Sequence, residues 1–264
     1  MEALFALPKH KTKKVLFIDQ MHPFLQEQLT KWGFVCDLQY KASKEEIAAI
    51  IHDLKNPLHQ IKGLTHLLKV DGLDKHETVE FLETIFNYSS DLVHNLLEIF
   101  EIEGENFQLN REPINLTELM KTIVQTNRLA AKEKNIRIET AYYADPCNIV
   151  VDRIKLTRAI NNLISNAIKF SHAGTKIVVS LAPINGFIEV TIKDSGIGID
   201  STAQKFIFDR FSKYRRKGTK GEKTTGMGLF ITKKIVEAHK GEIFCESEAG
   251  IGTTFTIKLK RIIQ

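Results

Sequence analysis

Residues 43–68 read SKEEIAAIIHDLKNPLHQIKGLTHLL, and their spacing decides the architecture. Ser43 with Glu46 three residues on is a capping-box signature that starts a helix. Apolar side chains then fall at Ile47, Ile51, Leu54, Leu58 and Ile61, and Thr65 and Leu68 keep the rhythm. Steps alternating between four and three trace the heptad seam of a helical bundle. Asp71-Gly72 breaks the pattern, and Val79, Leu82, Phe86, Ser89, Val93, Leu96 and Phe100 then repeat it. Two long amphipathic helices joined by a short turn form an antiparallel hairpin. One hairpin supplies half of a bundle's core, so two copies are expected to close a four-helix bundle as a homodimer.

Working outward, the upstream residues 1–42 predict a short βαβ segment. Val15 to Ile18 reads as a buried strand, Phe24, Leu25, Leu29 and Trp32 have helical spacing stopped by Gly33, and Phe34 to Tyr40 reads as a second strand. Downstream, Arg111-Glu112-Pro113 reads as a linker. Beyond it the pattern predicts helices near 116–133, 153–170 and 229–239. Strands are predicted near 136–142, 148–151, 175–182, 186–193, 241–247 and 253–260. Helices with largely antiparallel strands in this order indicate an α+β sandwich. The chain therefore divides into a short N-terminal α/β segment (1–42), a helical hairpin (43–105) and a third domain (106–264).

A chain of 264 residues is long for one domain and comfortable for more. Hydrophobic content of 43% and charged content of 26% describe an ordinary globular protein. The formal charge of +5 is modest, and no basic run is interleaved with stacking aromatics, so no nucleic-acid partner is expected. Cys36, Cys147 and Cys245 form no CxxC pair and read as free thiols in a reducing compartment. No apolar run approaches the roughly 20 residues of a membrane helix, and no signal peptide opens the chain. A cytoplasmic protein is expected.

Several side chains point to chemistry. His52 lies beside the seam defined by Ile51 and Leu54, where it can reach solvent. Pro57 removes the backbone bond to the Asp53 carbonyl and bends the helix just after the histidine. A nucleophilic imidazole needs one nitrogen available and the other held or deprotonated, and Asp53 is its sequence neighbour. Alone, such a histidine would be an ordinary solvated residue; the His-Asp-x-x-Asn-Pro cluster on a bundle helix argues otherwise. Asn162 and Asn166, four apart, share one helix face, and a neutral amide oxygen suits Mg²⁺ beside phosphate oxygens. Lys169 can reach phosphate as a point charge. Asp194-Ser195-Gly196-Ile197-Gly198 ends a strand, offering a carboxylate for an exocyclic amine and glycines for close backbone approach. Gly226-Met227-Gly228-Leu229 opens a helix whose amides favour phosphate. The Lys-rich stretch 213–223 reads as a mobile lid over those phosphates.

In this order, over residues 45 to 262, these motifs resemble the two-component sensor histidine kinases with a GHKL-type ATPase domain. The histidine box is His52 to Leu58, and the asparagine box is Asn162 to Phe170. The glycine boxes are Asp194 to Gly198 and Gly226 to Leu229, and Gly250-Ile251-Gly252-Thr253-Thr254-Phe255 closes the domain. The resemblance implies ATP and Mg²⁺ as cofactors, His52 as phosphoacceptor and Asp53 as its activating base. Asn56 would orient water for dephosphorylation of a partner regulator. Asn166 would ligate the metal, with Asn162 and Lys169 near the phosphates and Asp194 on the adenine amine. Phe170, Gly196, Gly198, Thr225, Gly226, Met227, Gly228 and Leu229 complete the nucleotide site, with Lys213, Arg215 and Arg216 as lid candidates. The implied activity is autophosphorylation followed by transfer to an aspartate of a response regulator receiver domain. Asp53 and Lys55 stand where many members have Glu and Arg, and Thr224 where a glycine often begins the second glycine box, a change expected to stiffen the lid.

Residues 14 to 51 carry a weaker resemblance to the beginning of a D-2-hydroxyacid dehydrogenase outer domain. That family's dinucleotide fingerprint is absent, so no dehydrogenase activity is implied. A receiver-like module would need a third strand ending in a phosphoacceptor Asp, which the chain does not supply before the bundle helix. Two other functional readings compete with the kinase: a scaffold that binds nucleotide without phosphorylation, and an ATPase clamp that hydrolyses ATP with no need of His52.

Overall fold

The computed structural model describes residues 44–67, 75–104, 107–144, 147–212 and 214–261. The N-terminal strands and helix, Cys36, the cap at Ser43, the turn at Asp71-Gly72 and Lys213 lie outside the described residues, as do the side chains of Ile47 and Thr65. The chain separates into two compact units, 1–52 and 53–264. Of the first, the described part is the opening of helix α1 (Lys44–Leu67).

Both hairpin helices form where the heptads place them: α1, and α2 from Lys75 to Glu103. Pro57 sits inside α1 and is buried. The two faces of α2 differ sharply. Ile85, Leu92, Leu96 and Ile99 are buried, whereas Val79, Leu82, Phe86 and Val93 of the heptad seam stand exposed. On α1, Leu58 and Ile61 are exposed as well.

The stretch read as a linker is a strand in part. β1 (Glu112–Asn115) pairs antiparallel with β3 (Asn148–Val151), Glu112 opposite Val151. Pro113 is tolerated because this ribbon has only two strands and leaves edge positions without a ladder partner. Arg111 adds a bond from its guanidinium to the Ala238 carbonyl at 2.9 Å, so the chain is already anchored here.

Helices α3 (Leu116–Glu133) and α4 (Arg153–Phe170) begin at side-chain caps. Asn115 Oδ1 accepts from the Thr117 amide at 3.0 Å, and Asp152 Oδ1 from the Lys155 amide at 3.0 Å. Both satisfy amides that have no intrahelical partner. A five-stranded sheet follows the order β2-β4-β5-β7-β6, formed by β2 (Arg137–Tyr142), β4 (Lys176–Ile184), β5 (Phe187–Asp194), β6 (Glu242–Glu248) and β7 (Gly252–Lys260). β2 runs parallel to β4, and the remaining pairs are antiparallel. A single turn, α5 (Ser201–Gln204), and helix α6 (Gly228–Ala238) complete the fold.

Alternation explains why one face of the sheet is covered. Ile177, Val179 and Leu181 of β4, Ile188, Val190 and Ile192 of β5, and Ile257 and Leu259 of β7 all turn into the core. There they meet Leu156, Ile160, Leu163 and Ile164, which fall on one face of α4. Each such side chain contributes about 1.5–3 kcal/mol by leaving water. The result is the expected two-layer α+β sandwich, with α4 and β5 both ending at one rim.

Candidate functional site

At that rim lies a cavity of about 540 Å³. Its floor is α4. Asn162, Asn166, Lys169 and Phe170 all line it, because the helix spends its opposite face on the core. The Asn162 amide donates to the Thr232 hydroxyl of α6 at 2.8 Å, which ties the two helices together beneath the cavity. Gly228 makes that approach possible, since a Cβ there would come within 2.2 Å of Asn162 Oδ1. The Asn166 amide has no such side-chain partner among the described residues and remains for a ligand.

Asp194 ends β5, is buried, and lines the cavity. Its Oδ1 accepts from the Gly196 amide at 2.9 Å and the Thr253 amide at 3.1 Å. Both bonds use one oxygen, which leaves the other for an amine. Burial raises its pKa above the ordinary carboxylate range, and the two amide bonds only partly oppose that. Gly196 thus orients the carboxylate rather than lining the cavity. Gly198 does line it, at φ +61, where a Cβ would come within 1.8 Å of the Glu248 carbonyl.

The other wall is the loop before α6. Tyr214, Arg215, Arg216, Thr224, Thr225, Gly226, Gly228 and Leu229 line the cavity. Helix α6 starts at Met227 without a side-chain cap, so its first amides remain available to an anion. Met227 itself is wholly buried and serves as packing. Arg216 donates to the Gly198 carbonyl at 2.7 Å and lies over the Phe170 ring at 5.7 Å from its centre. The Thr224 hydroxyl donates to the Arg216 carbonyl at 3.0 Å. A glycine could not make this bond.

His52 is exposed, its neighbour Asp53 buried, and Asn56 half-buried on α1. The Asp53 carboxylate pairs with the Arg215 guanidinium, so one arginine touches both the histidine box and the cavity wall. Tyr88 of α2 lies close by: burial raises its pKa, the Asp53 charge adds to the rise, and the Arg215 charge opposes it.

The structure therefore brings together Asn162, Asn166, Lys169, Phe170, Asp194, Gly198, Arg215, Arg216, Thr225, Gly226, Gly228 and Leu229 around one cavity. Gly196 and Met227 support it from behind. Sequence reasoning missed the contribution of α2: Thr84, Asn87, Tyr88, Asp91 and Asn95 form a polar stripe along the cavity. Asn95 donates to the Thr225 hydroxyl at 3.0 Å and accepts from Arg158 at 2.7 Å. The signal was present as polar residues at three- and four-residue steps, hidden beside the louder apolar seam.

Comparison with known proteins gives two family matches. Residues 42–105 match the family described as His Kinase A (phospho-acceptor) domain. Residues 151–263 match that described as Histidine kinase-, DNA gyrase B-, and HSP90-like ATPase. Drug sensory protein A of Synechocystis sp. is 33% identical over 236 residues, covering 83% of this chain and 35% of the relative. Sensor protein SrrB of Staphylococcus aureus is 31% identical over 223 residues, covering 83% and 38% respectively. The chain thus spans little more than a third of the length of these relatives. Among solved structures, histidine kinase ThkA in complex with response regulator protein TrrA superposes with a TM-score of 0.69 at 23% identity. That likeness covers 90% of this chain and 64% of the other, and shows a shared fold.

Proposed function

Because the chain belongs to the two-component sensor histidine kinases, we propose that it binds Mg·ATP in the cavity over α4, phosphorylates His52, and passes the phosphoryl group to a receiver-domain aspartate. The observation that carries this reading is the convergence of Asn166, Lys169, Asp194 and the uncapped start of α6 on one cavity. Asp194 would accept from the adenine amine, and the α6 amides, with Lys169, Arg215 and Arg216, would hold the phosphates. Among the described residues no cluster of three His, Cys, Asp or Glu could hold a metal. Mg²⁺ would instead be held mainly by triphosphate oxygens and water, with the Asn166 amide oxygen as the protein ligand. It would supply charge neutralisation to a reaction that consists mostly of positioning.

Of the hairpin, Asp53 would hold the imidazole of His52 ready as a nucleophile, and Asn56 would orient water when the regulator is dephosphorylated. The exposed seam of Leu58, Ile61, Val79, Leu82, Phe86 and Val93 supports a homodimer through residues 43–105. No helix among the described residues is long and apolar enough to cross a membrane. With its need for ATP, the kinase is proposed to work in the cytoplasm. The direct test is a Mg·ATP titration of the whole chain. The wild type should bind, and Asn166→Asp, which places a negative charge beside the triphosphate, should weaken binding about a hundredfold. Equal affinity in both would remove Asn166 from the site.

A further inference from the structure

Lys134, the residue that closes α3, is only 5% exposed. Its ammonium meets three acceptors: the Ile168 carbonyl at 2.9 Å, the Lys169 carbonyl at 2.6 Å and Glu222 Oε1 at 2.7 Å. An ammonium has three protons, so the set is filled. Two of the acceptors are last-turn carbonyls of α4, which lack helical partners and lie at the negative end of the helix dipole. The third belongs to the loop before α6. Burial opposes ionisation of Glu222, but the Lys134 bond, amides including that of Lys220, and the Lys134 charge together outweigh it and hold the carboxyl below its usual range.

The segment 218–222 is folded onto this point. The Gly218 amide donates to the Glu222 carbonyl at 2.9 Å, the Gly221 amide to the Gly218 carbonyl at 2.9 Å, and the Lys220 amide to Glu222 Oε2 at 2.7 Å. Thr219 bonds the Lys169 carbonyl through its amide at 2.9 Å and the Ser171 carbonyl through its hydroxyl at 2.7 Å. The loop that the sequence presents as one Lys-rich flap is thus pinned at its middle. On one side of the pin Tyr214, Arg215 and Arg216 face the cavity, and on the other Thr224, Thr225 and Gly226 do.

We propose that Lys134 is a positioning residue that fastens the centre of the lid to the end of the nucleotide helix, so that two short arms, and not one long flap, close on the ligand. The same contact sets the last turn of α4, where Lys169 and Phe170 enter the cavity. This rests on the nucleotide reading of that cavity, but the pin itself does not require a nucleotide.

The experiment therefore has two arms, both on the full chain. In the first, nucleotide-free protein is digested briefly with trypsin, which cuts after the lid's Arg216, Lys217 and Lys220. Lys134→Met should raise cleavage there about tenfold, and Glu222→Gln should raise it less. The double variant should match Lys134→Met alone, because both remove one contact. Lys176→Met, which loses only an exposed ion pair with Glu139, should cleave like wild type. In the second, autophosphorylation kinetics of Lys134→Met should show a KM for ATP about tenfold higher with kcat within twofold. Should Lys134→Met not fold, Glu222→Gln, whose side chain is partly exposed, carries both arms alone. Variants with a lowered thermal midpoint but unchanged lid cleavage and unchanged KM would overturn the proposal and leave an ordinary buried ion pair. A wild type that binds no ATP would sink the kinase reading, while the tryptic arm would still decide the pin.

Discussion

In α4, Leu156, Ile160, Leu163 and Ile164 have no exposed surface, whereas in the hairpin Phe86 is 71% exposed, Leu58 54% and Val79 53%. Both regions carry their apolar residues at regular helical spacing. The partner separates them. The helices of the nucleotide unit have a sheet to lie on within the same chain, and their core is closed. In the hairpin, Leu58, Ile61, Val79, Leu82, Phe86 and Val93 of the seam stand exposed, as the proposed second copy would require. The difference fits the proposed division of labour, in which one region would bind nucleotide over a closed core and the other would present His52 on a bundle completed by a second copy.

Substitutions that treat the two regions oppositely can break this comparison. Leu163→Ala, in the closed core, should cost about 2–5 kcal/mol in the denaturant unfolding of the nucleotide unit and leave the oligomeric state unchanged. Phe86→Glu should do the reverse. Its charge in the seam should weaken self-association about a hundredfold, or roughly 2.7 kcal/mol, as read by sedimentation, with the unfolding midpoint of the nucleotide unit unmoved. If Phe86→Glu remained as dimeric as wild type, the seam would have been assigned to the wrong surface.

Smaller effects sharpen the picture on the nucleotide side. Asn115→Ala removes the cap of α3 and should lower stability by about 1 kcal/mol. Acidification gives the subtlest outcome. The pKa of Asp194 is raised by burial, so the folded unit binds more protons than the unfolded chain between the ordinary carboxylate pKa and the raised one. Lowering the pH through that interval should therefore favour the folded state slightly at this residue. It should also weaken ATP, because a protonated carboxyl is a poorer acceptor for the adenine amine. Nucleotide affinity plotted against pH should slope downward on the acid side for wild type and flatten in Asp194→Asn.

Much of this was legible in the sequence because local signals agreed with the fold. Helices α3 and α4 start and stop where read, since Asn115 and Asp152 cap them and each has one apolar face. The cavity-lining residues were legible as motifs because their signatures are short: Gly196 bonds Asp194 two residues away, and Gly228 opens α6. What was hidden depends on residues far apart. β1 was masked by Pro113 and flanking charges, because its pairing with β3 is set by chain that lies 35 positions or so further on. The polar stripe of α2 acquires meaning only once α2 lies along α6. Lys134 and Glu222 are 88 residues apart, and a single lysine in a helix-ending Glu-Lys-Asn stretch reads as solvated. The contacts of 218–222 with the end of α4 were hidden for the same reason.

The central claim concerns His52, and one measurement addresses it most directly. The whole chain is incubated with Mg²⁺ and ATP labelled on the γ-phosphate, and the protein-bound label is tested for stability. A label lost in acid and retained in base, absent from His52→Ala although that variant still binds ATP, is the predicted result. Label of the same kind and amount on His52→Ala, or steady ATP hydrolysis with no label on wild type, would contradict the account.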